Sequence, residues 1–339
     1  MTEMTDKNVC SETLPCRFPL TGAIEAVQKE IEQRLLSSPP PLRALARHLA
    51  KAPGKNIRAY SLLTCAIDKD DLVSYDAIRL AVAIEFLHLA TLVHDDVIDD
   101  AKTRRGIETI QTKFGKRPAV ICGDYLFCMA LQAASELEKG DDKSLRQLLP
   151  DYMTQICLGE MRQNLNNRNF ALTQAQYLKI IAGKTAALFE ASFFGGFILS
   201  KEDKAKEDQY KKLGHSIGMI FQLTDDCADY EHNCKQTKKP VMSDYEQGVI
   251  TLPLIYAFKE NETLLKKAKM GAPASEIVES VRKSGGLIYT RTVVKRYYKK
   301  ARKIIDSLDI SVQKHRNLSV ILDRSVNGID IGIKETAIK

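Results

Sequence analysis

Tryptophan is absent from the 339 residues, and histidine occurs only six times. The eight cysteines (Cys10, Cys16, Cys65, Cys122, Cys128, Cys157, Cys227 and Cys234) form no CxxC pair and none sits with histidine at zinc-ligand spacing. A structural zinc site is therefore not expected, and scattered thiols without an export signal predict a reduced, cytoplasmic protein. No run of 18 uninterrupted apolar residues exists; the longest candidate, 186–199, is broken by Glu190 and Ser192, which argues against a membrane span. The first twenty residues carry Glu3, Asp6, Lys7, Glu12 and Arg17 and no apolar block, so no secretory signal is read there. A basic stripe is missing too. Lys plus Arg exceed Asp plus Glu by only 7, and the nearest cluster, 295–303 (KRYYKKARK), reads as a solvated helix face above Tyr and Ile rungs. Nucleic acid is not an expected partner. An anionic small substrate suits the excess, and the basic helix could make transient contact with a membrane surface.

What is present is helical periodicity. Segments 25–36, 41–51, 77–94, 120–138, 147–165, 175–199, 208–230 and 287–308 repeat apolar residues at i, i+3 and i+4. Several reach twenty residues and are apolar on more than one side, as helices in the middle of a bundle are. Period-two alternation is nearly absent, with no βαβ unit and no repeat of 20–50 residues. The expected fold is all-α, one large helical bundle. Residues 1–18 read as a mobile N-terminal segment and 19–339 as a single domain. Breaks fall at 38–41, 140–144 and 201–208, and the unpatterned stretch 231–248 has the length of a lid.

The strongest local signal is LVHDDVIDDAKTRRG at 92–106, which places Asp95, Asp96 and Asp99 at the end of a long apolar helix. Positions i and i+4 stack on one helix face, so Asp95 and Asp99 project together with Asp96 beside them. Like charges at the negative end of a helix need compensation. A hard divalent cation supplies it, and Mg²⁺ takes one or two carboxylates together with phosphate oxygens and water. A solvated acidic turn would explain one such motif equally well. A second copy, FQLTDDCADY at 221–230, puts Asp225, Asp226 and Asp229 at the end of another long helix, 130 residues on. Two such ends facing one another can hold several cations, and through them a diphosphate. Cations for an anionic substrate are also at hand: Lys55 and Arg58 in PGKNIR, Arg104 and Arg105, Lys184 in AGKT, and Lys239. The GKT tripeptide is not a phosphate loop, because GxxxxGK[ST] is absent.

In order along 51–255, the GKxxR of Lys55 and Arg58, His88, DDxxD, RRG, GDYLF, GKT, FQxxDDxxD and TLP strongly resemble the all-trans polyprenyl diphosphate synthases, of the medium- or long-chain type. That resemblance implies a bundle around a deep central cavity, of isoprenoid synthase type, and a homodimer. It implies a Mg-dependent prenyltransferase that joins isopentenyl diphosphate head to tail to an allylic diphosphate such as farnesyl or geranylgeranyl diphosphate. By motif, Asp95, Asp96, Asp99, Asp225, Asp226 and Asp229 would serve a cluster of about three Mg²⁺, for which Mn²⁺ could substitute. Arg104, Lys184 and Lys239 would contact the allylic diphosphate. Lys55, Arg58, His88 and Arg105 would bind isopentenyl diphosphate, Thr185 would contact substrate, and Phe221 and Gln222 would line the reacting end. His94 is expected to pack rather than to act. No histidine base is required if pyrophosphate takes the final proton.

The chain departs from the family's GGKRxRP at Pro53, Asn56 and Ala59, and from GKxTLP at Val249, where Lys238 or Lys235 is the candidate replacement. Family members set product length with side chains upstream of the first aspartates. Here those positions hold Ala90, Thr91 and, a turn deeper on the same face, Leu87; with no aromatic plug the expected product has about thirty to forty carbons. Geranylgeranyl diphosphate is the alternative product if another helix closes the floor. A terpene cyclase, or the non-catalytic subunit of a heteromeric synthase, is the alternative of a different class. The repeated aspartates and the second set of cations argue against both.

Overall fold

The computed structural model describes residues 17–137, 143–231 and 243–326. Sixteen α-helices are present among them: α1 (Leu20–Leu36), α2 (Arg43–Ala50), α3 (Ile57–Cys65), α4 (Tyr75–Ile98), α5 (Ile110–Phe114), α6 (Lys116–Ser135), α7 (Lys143–Leu165), α8 (Gln174–Ile181), α9 (Ala187–Ser200), α10 (Glu207–Glu231), α11 (Ser243–Gln247), α12 (Leu252–Glu260), α13 (Glu262–Lys269), α14 (Ala274–Lys283), α15 (Gly286–Ser307) and α16 (Val312–Ser325). The expected all-α class is what is found. The expected mobile segment lies outside the described residues up to 16, and its last two residues are not loose. Arg17–Phe18 form β1, paired antiparallel with Val73–Ser74 (β2).

Helix α4 is the axis of the bundle. Every residue from Ile78 to Leu87 except Arg79 is buried, so the helix has no solvent side along that stretch. Ser74 caps it, accepting from the Ala77 N–H at 3.3 Å. Around it pack α1, α3, α6 and α9, and α9 in turn packs on α10 and α7. By length and composition α4 and α6 could each cross a membrane, which corrects the expectation of no such segment: a few interrupting charges do not lower their mean hydropathy enough. The α4 window is 67% buried, so that helix is held inside the bundle rather than free to face lipid. In α15 the charges Lys299, Lys300 and Lys303 are exposed while Tyr298 and Ile305 are buried, the arrangement expected from its pattern.

Two differences from the sequence reading matter for the site. The single helix expected over 175–199 is interrupted by one π-turn, Ala182–Ala186, between α8 and α9. Part of the unpatterned stretch 231–248 is helical, as α11, while 232–242 lies outside the described residues and takes Lys235, Lys238 and Lys239 with it.

Candidate active site

The first acidic group ends α4. The Asp99 N–H bonds the Asp95 carbonyl at 2.8 Å, so the helical i, i+4 relation holds and their side chains share a face. Asp96 points elsewhere: it is 4% exposed, and its Oδ1 accepts from Arg104 Nε at 2.7 Å. Arg104 is presented by a small hairpin, Thr103–Arg104 (β3) paired with Ile107–Glu108 (β4). Its two-residue turn, Arg105–Gly106, has φ of +52° and +81°. Positive φ at both central residues is the type I′ geometry that suits hairpin twist, and glycine meets it without strain. Burial, Glu160 and Asp99 raise the Asp95 carboxyl to about 7 against the pull of Lys184 and Arg104. Burial likewise raises Asp99.

The second acidic group ends α10 with the same division of labour. Asp225 is exposed and Asp229 half-buried, one turn apart. Asp226 is buried and accepts hydrogen bonds from the Tyr177 hydroxyl and, at 2.7 Å, from Gln222 Nε2. Gln222 is itself fixed by the Thr185 hydroxyl, which donates to its Oε1 at 2.7 Å. Phe221 tilts against Phe189, with ring centroids 5.3 Å apart.

The π-turn joins the two groups, with Thr185 bonded to Gln222 and Lys184 turned toward Glu160. The Lys184 charge is felt by Asp95, Asp99 and Asp244. The π-turn that carries it lies against Gly159 of α7. A Cβ on Gly159 would sit 2.2 Å from the Lys184 nitrogen, and one on Gly183 2.9 Å from the Gly159 Cα. This backbone contact lets Lys184 Nζ reach Glu160, at 2.9 and 3.0 Å from its two oxygens. π-turns inside helices often mark functional positions.

A second cationic group lies beside the first acidic motif. Arg58 is buried at 7% exposure, donates from Nη1 to His88 Nε2 at 3.0 Å, and lies 4.6 Å from the Phe189 ring centroid. Burial lowers Arg58 to about 10, which leaves it charged at neutral pH. Burial and the nearby arginines push His88 well below its ordinary value, so it is neutral and accepts at Nε2. Arg105 Nη1 donates to the Ala52 carbonyl at 2.9 Å, tying the hairpin to the loop that holds the exposed Lys55. Asn56 occupies the left-handed region at φ +48°, a conformation asparagine tolerates better than most residues. Upstream on α4, Ala90 and Leu87 are fully buried and Thr91 is half-buried, its hydroxyl donating to the His88 carbonyl at 2.8 Å. His94 packs on Phe127 and meets the Val120 carbonyl at 3.1 Å, as its structural reading expects. Behind Asp96 and Arg104 is a small cavity of about 40 Å³, walled by Leu89, Leu92, Val93 and Ile107.

Known proteins show which family the chain belongs to. A family profile described as polyprenyl synthetase matches residues 39–284. The chain belongs to the polyprenyl synthetase family. Members are metal-dependent prenyltransferases, and this chain is one of them. It is 34% identical to heptaprenyl diphosphate synthase component 2 of Geobacillus stearothermophilus, over 86% of this chain and 92% of that protein. The octaprenyl diphosphate synthase of Haemophilus influenzae is 28% identical over 89% of this chain and 84% of its own length. Among solved structures, heptaprenyl diphosphate synthase from Staphylococcus aureus superposes with a TM-score of 0.84 at 31% identity, covering 91% of this chain and 98% of that one.

Polyprenyl synthetases need a place for divalent cations, and the donor set here suits one. Hard oxygen ligands line both helix ends, and Asp95, Asp99 and Asp225 are open at least in part. Among the described residues no three such side chains already converge on one point. Phosphate oxygens would therefore complete each coordination shell, as is usual for Mg²⁺. Three residues at this site were missed in the sequence. Asp244 of α11 faces the second group, and burial together with Asp226, Asp229 and Asp225 raises its carboxyl well above the usual range. Glu160 and Tyr177 are the others, each identified only by its contact. The TLP motif does leave a signal: Thr251 precedes α12, meets the Tyr230 hydroxyl at 3.0 Å, and places a proline in the first turn.

Proposed function

We propose that this chain is a medium-chain all-trans polyprenyl diphosphate synthase. It would extend an allylic diphosphate with isopentenyl diphosphate to a product of about thirty to forty carbons, since nothing bulkier than leucine stands on the α4 face below Asp95. The observation that carries the reading is the π-turn that joins the two acidic helix ends, with Lys184 acting on Asp95 and Asp99 and Thr185 bonded to Gln222, while a separate cationic group forms around Arg58. One molecule with two such sites suits two diphosphates.

Asp95, Asp99, Asp225 and Asp229 would hold a cluster of about three Mg²⁺, or Mn²⁺ in its place. Such a cluster, when bound, neutralises the charge that develops on a departing pyrophosphate. Asp96 and Asp226, expected in the sequence to be metal ligands, are better read as positioning residues, because their oxygens are engaged by Arg104, Tyr177 and Gln222. Arg104 and Lys184 would add charge on the same allylic diphosphate, joined by Lys239. Phe221 and Phe189 would shield the carbon left positive as its C–O bond breaks. Lys55, Arg58, His88 and Arg105 would hold isopentenyl diphosphate so that its double bond attacks that carbon. The proton then lost goes to pyrophosphate. Leu87, Ala90 and Thr91 would border the growing tail.

Free thiols at the buried Cys65, Cys122 and Cys227 suit a reducing compartment, which supports the cytoplasm as location. Exposed Val120, Ile121 and Leu131 of α6 with Leu158, Met161 and Leu165 of α7 support a subunit interface, a homodimer on this reading. The relative named component 2 favours a second reading, in which the chain is the catalytic part of a two-component enzyme. Incubation with Mg²⁺, labelled isopentenyl diphosphate and geranyl, farnesyl or geranylgeranyl diphosphate tests both. A product ladder ending above twenty carbons, lost in Asp95→Ala, supports the reading; growth stopping at twenty carbons, or a hydrocarbon product, overturns it. A chain that is monomeric by light scattering and inactive alone points to a missing component.

A further inference from the structure

Glu85 is a buried carboxylate that no step above uses. It lies on α4 one turn before His88 and is 8% exposed. Its Oε1 accepts from the backbone N–H of Ala59 at 2.9 Å, in the first turn of α3. That turn needs an outside acceptor, because the Asn56 side chain makes no capping bond. A carboxylate at a helix N-terminus is also favoured by the helix dipole. The same charge acts on both guanidiniums of the second cationic group. Glu85 opposes the repulsion from Arg105 at Arg58 and that from Arg104 at Arg105; burial raises its own carboxyl, and the Ala59 N–H and both arginines pull it back. Arg58 comes from α3 and Arg105 from the hairpin turn, so Glu85 on α4 acts on both elements. Arg58 Nη1 is taken by His88 and Arg105 Nη1 by the Ala52 carbonyl, but Arg58 Nε has no protein partner although it is buried. A buried guanidinium N–H without an acceptor is costly and fits a site that an anion completes.

We infer that Glu85 is a positioning residue for the isopentenyl diphosphate site: by capping α3 and balancing Arg58 against Arg105, it holds the two cations at the spacing one diphosphate requires. This rests on the assignment of that site made above. Glu85 does not touch the substrate. It acts through the start of α3 and through the charge between the arginines.

The test compares Glu85→Gln, Glu85→Ala and Lys55→Ala with the parent enzyme, with KM measured separately for isopentenyl diphosphate and for farnesyl diphosphate. Gln keeps an acceptor for the Ala59 N–H and loses the charge; Ala loses both. The isopentenyl diphosphate KM should rise about tenfold in the Gln variant and further in the Ala variant, while the farnesyl diphosphate KM stays within about twofold. Parallel rises in both KM values, or a fall in kcat alone, would show a general structural role and overturn the inference. If Glu85→Ala does not fold, the near-isosteric Gln variant decides alone, and an unchanged isopentenyl diphosphate KM there overturns it. A KM raised in Lys55→Ala but unchanged in both Glu85 variants sinks the inference and spares the site. A KM unchanged in all three sinks the site assignment, and the inference with it.

Discussion

Arg104 Nε stands 2.7 Å from Asp96 Oδ1, and that pair turns the middle carboxylate of the first acidic motif toward the β3–β4 hairpin. Asp95 and Asp99 are left as the two that share the open face. Asparagine at 95 should therefore lower kcat by about 10³-fold, the loss of several kcal/mol of charge stabilisation, and weaken activation by Mg²⁺. Asparagine at 96 should cost about tenfold and leave the Mg²⁺ activation curve in place. Equal shifts of that curve in the two variants would contradict the division.

The second motif allows a parallel experiment on stability. Tyr177 and Gln222 both donate to the buried Asp226. Tyr177→Phe removes one donor from a carboxylate that water does not reach, at a cost of about 1–3 kcal/mol. A melting temperature lower by a few degrees, with Mg²⁺ activation kept, is the expected result. An unchanged melting curve would mean that the bond contributes little.

Gly159 is the position where α7 touches the π-turn. A methyl group there meets the Lys184 nitrogen and the Gly183 carbonyl carbon, both backbone atoms that cannot swing aside. Gly159→Ala should destabilise the protein by about 1–3 kcal/mol and raise the KM for the allylic diphosphate, because Lys184 is displaced from Glu160. A thermal melt and a farnesyl diphosphate titration check both parts.

Acid stability should depend on a buried cluster at the other end of the bundle. Lys314, 2% exposed, donates to the carbonyls of Cys65 and Ile67 and to Glu202. Burial would raise the Glu202 carboxyl, but the Lys314 charge and the bonds from Lys314, Lys206 and Tyr210 outweigh it and hold Glu202 below its usual value. A carboxyl depressed on folding stabilises the protein above its unfolded value, and that contribution disappears as pH falls through the folded one. Lys314→Met should cost about 1–3 kcal/mol at neutral pH, because the buried carbonyls of Cys65 and Ile67 lose their donor and the half-buried Glu202 loses one of its three partners. It should also flatten the loss of stability on acidification, which denaturant melts across pH would show.

The sequence by itself determined the helical class, because long apolar runs with 3.6-residue spacing have no other way to be buried. It also placed both acidic motifs at helix ends and named the arginines and Lys184, since those depend only on residue type and local spacing. Helices α3, α5, α11, α12, α13, α14 and α16 escaped it. They are short, and their apolar stripes become legible only against the long helices they cover. Tertiary structure decided which aspartates turn from the open side, because Arg104 reaches Asp96 from a hairpin and Tyr177 reaches Asp226 from another helix, 49 residues away; only the bond from Gln222 is local. It alone broke the expected 175–199 helix at the π-turn, where Gly159 from another helix admits the backbone of Gly183. Asp244, Glu160 and Glu85 were invisible for the same reason. A lone acidic residue in a helix has no meaning until the fold shows which cation it faces.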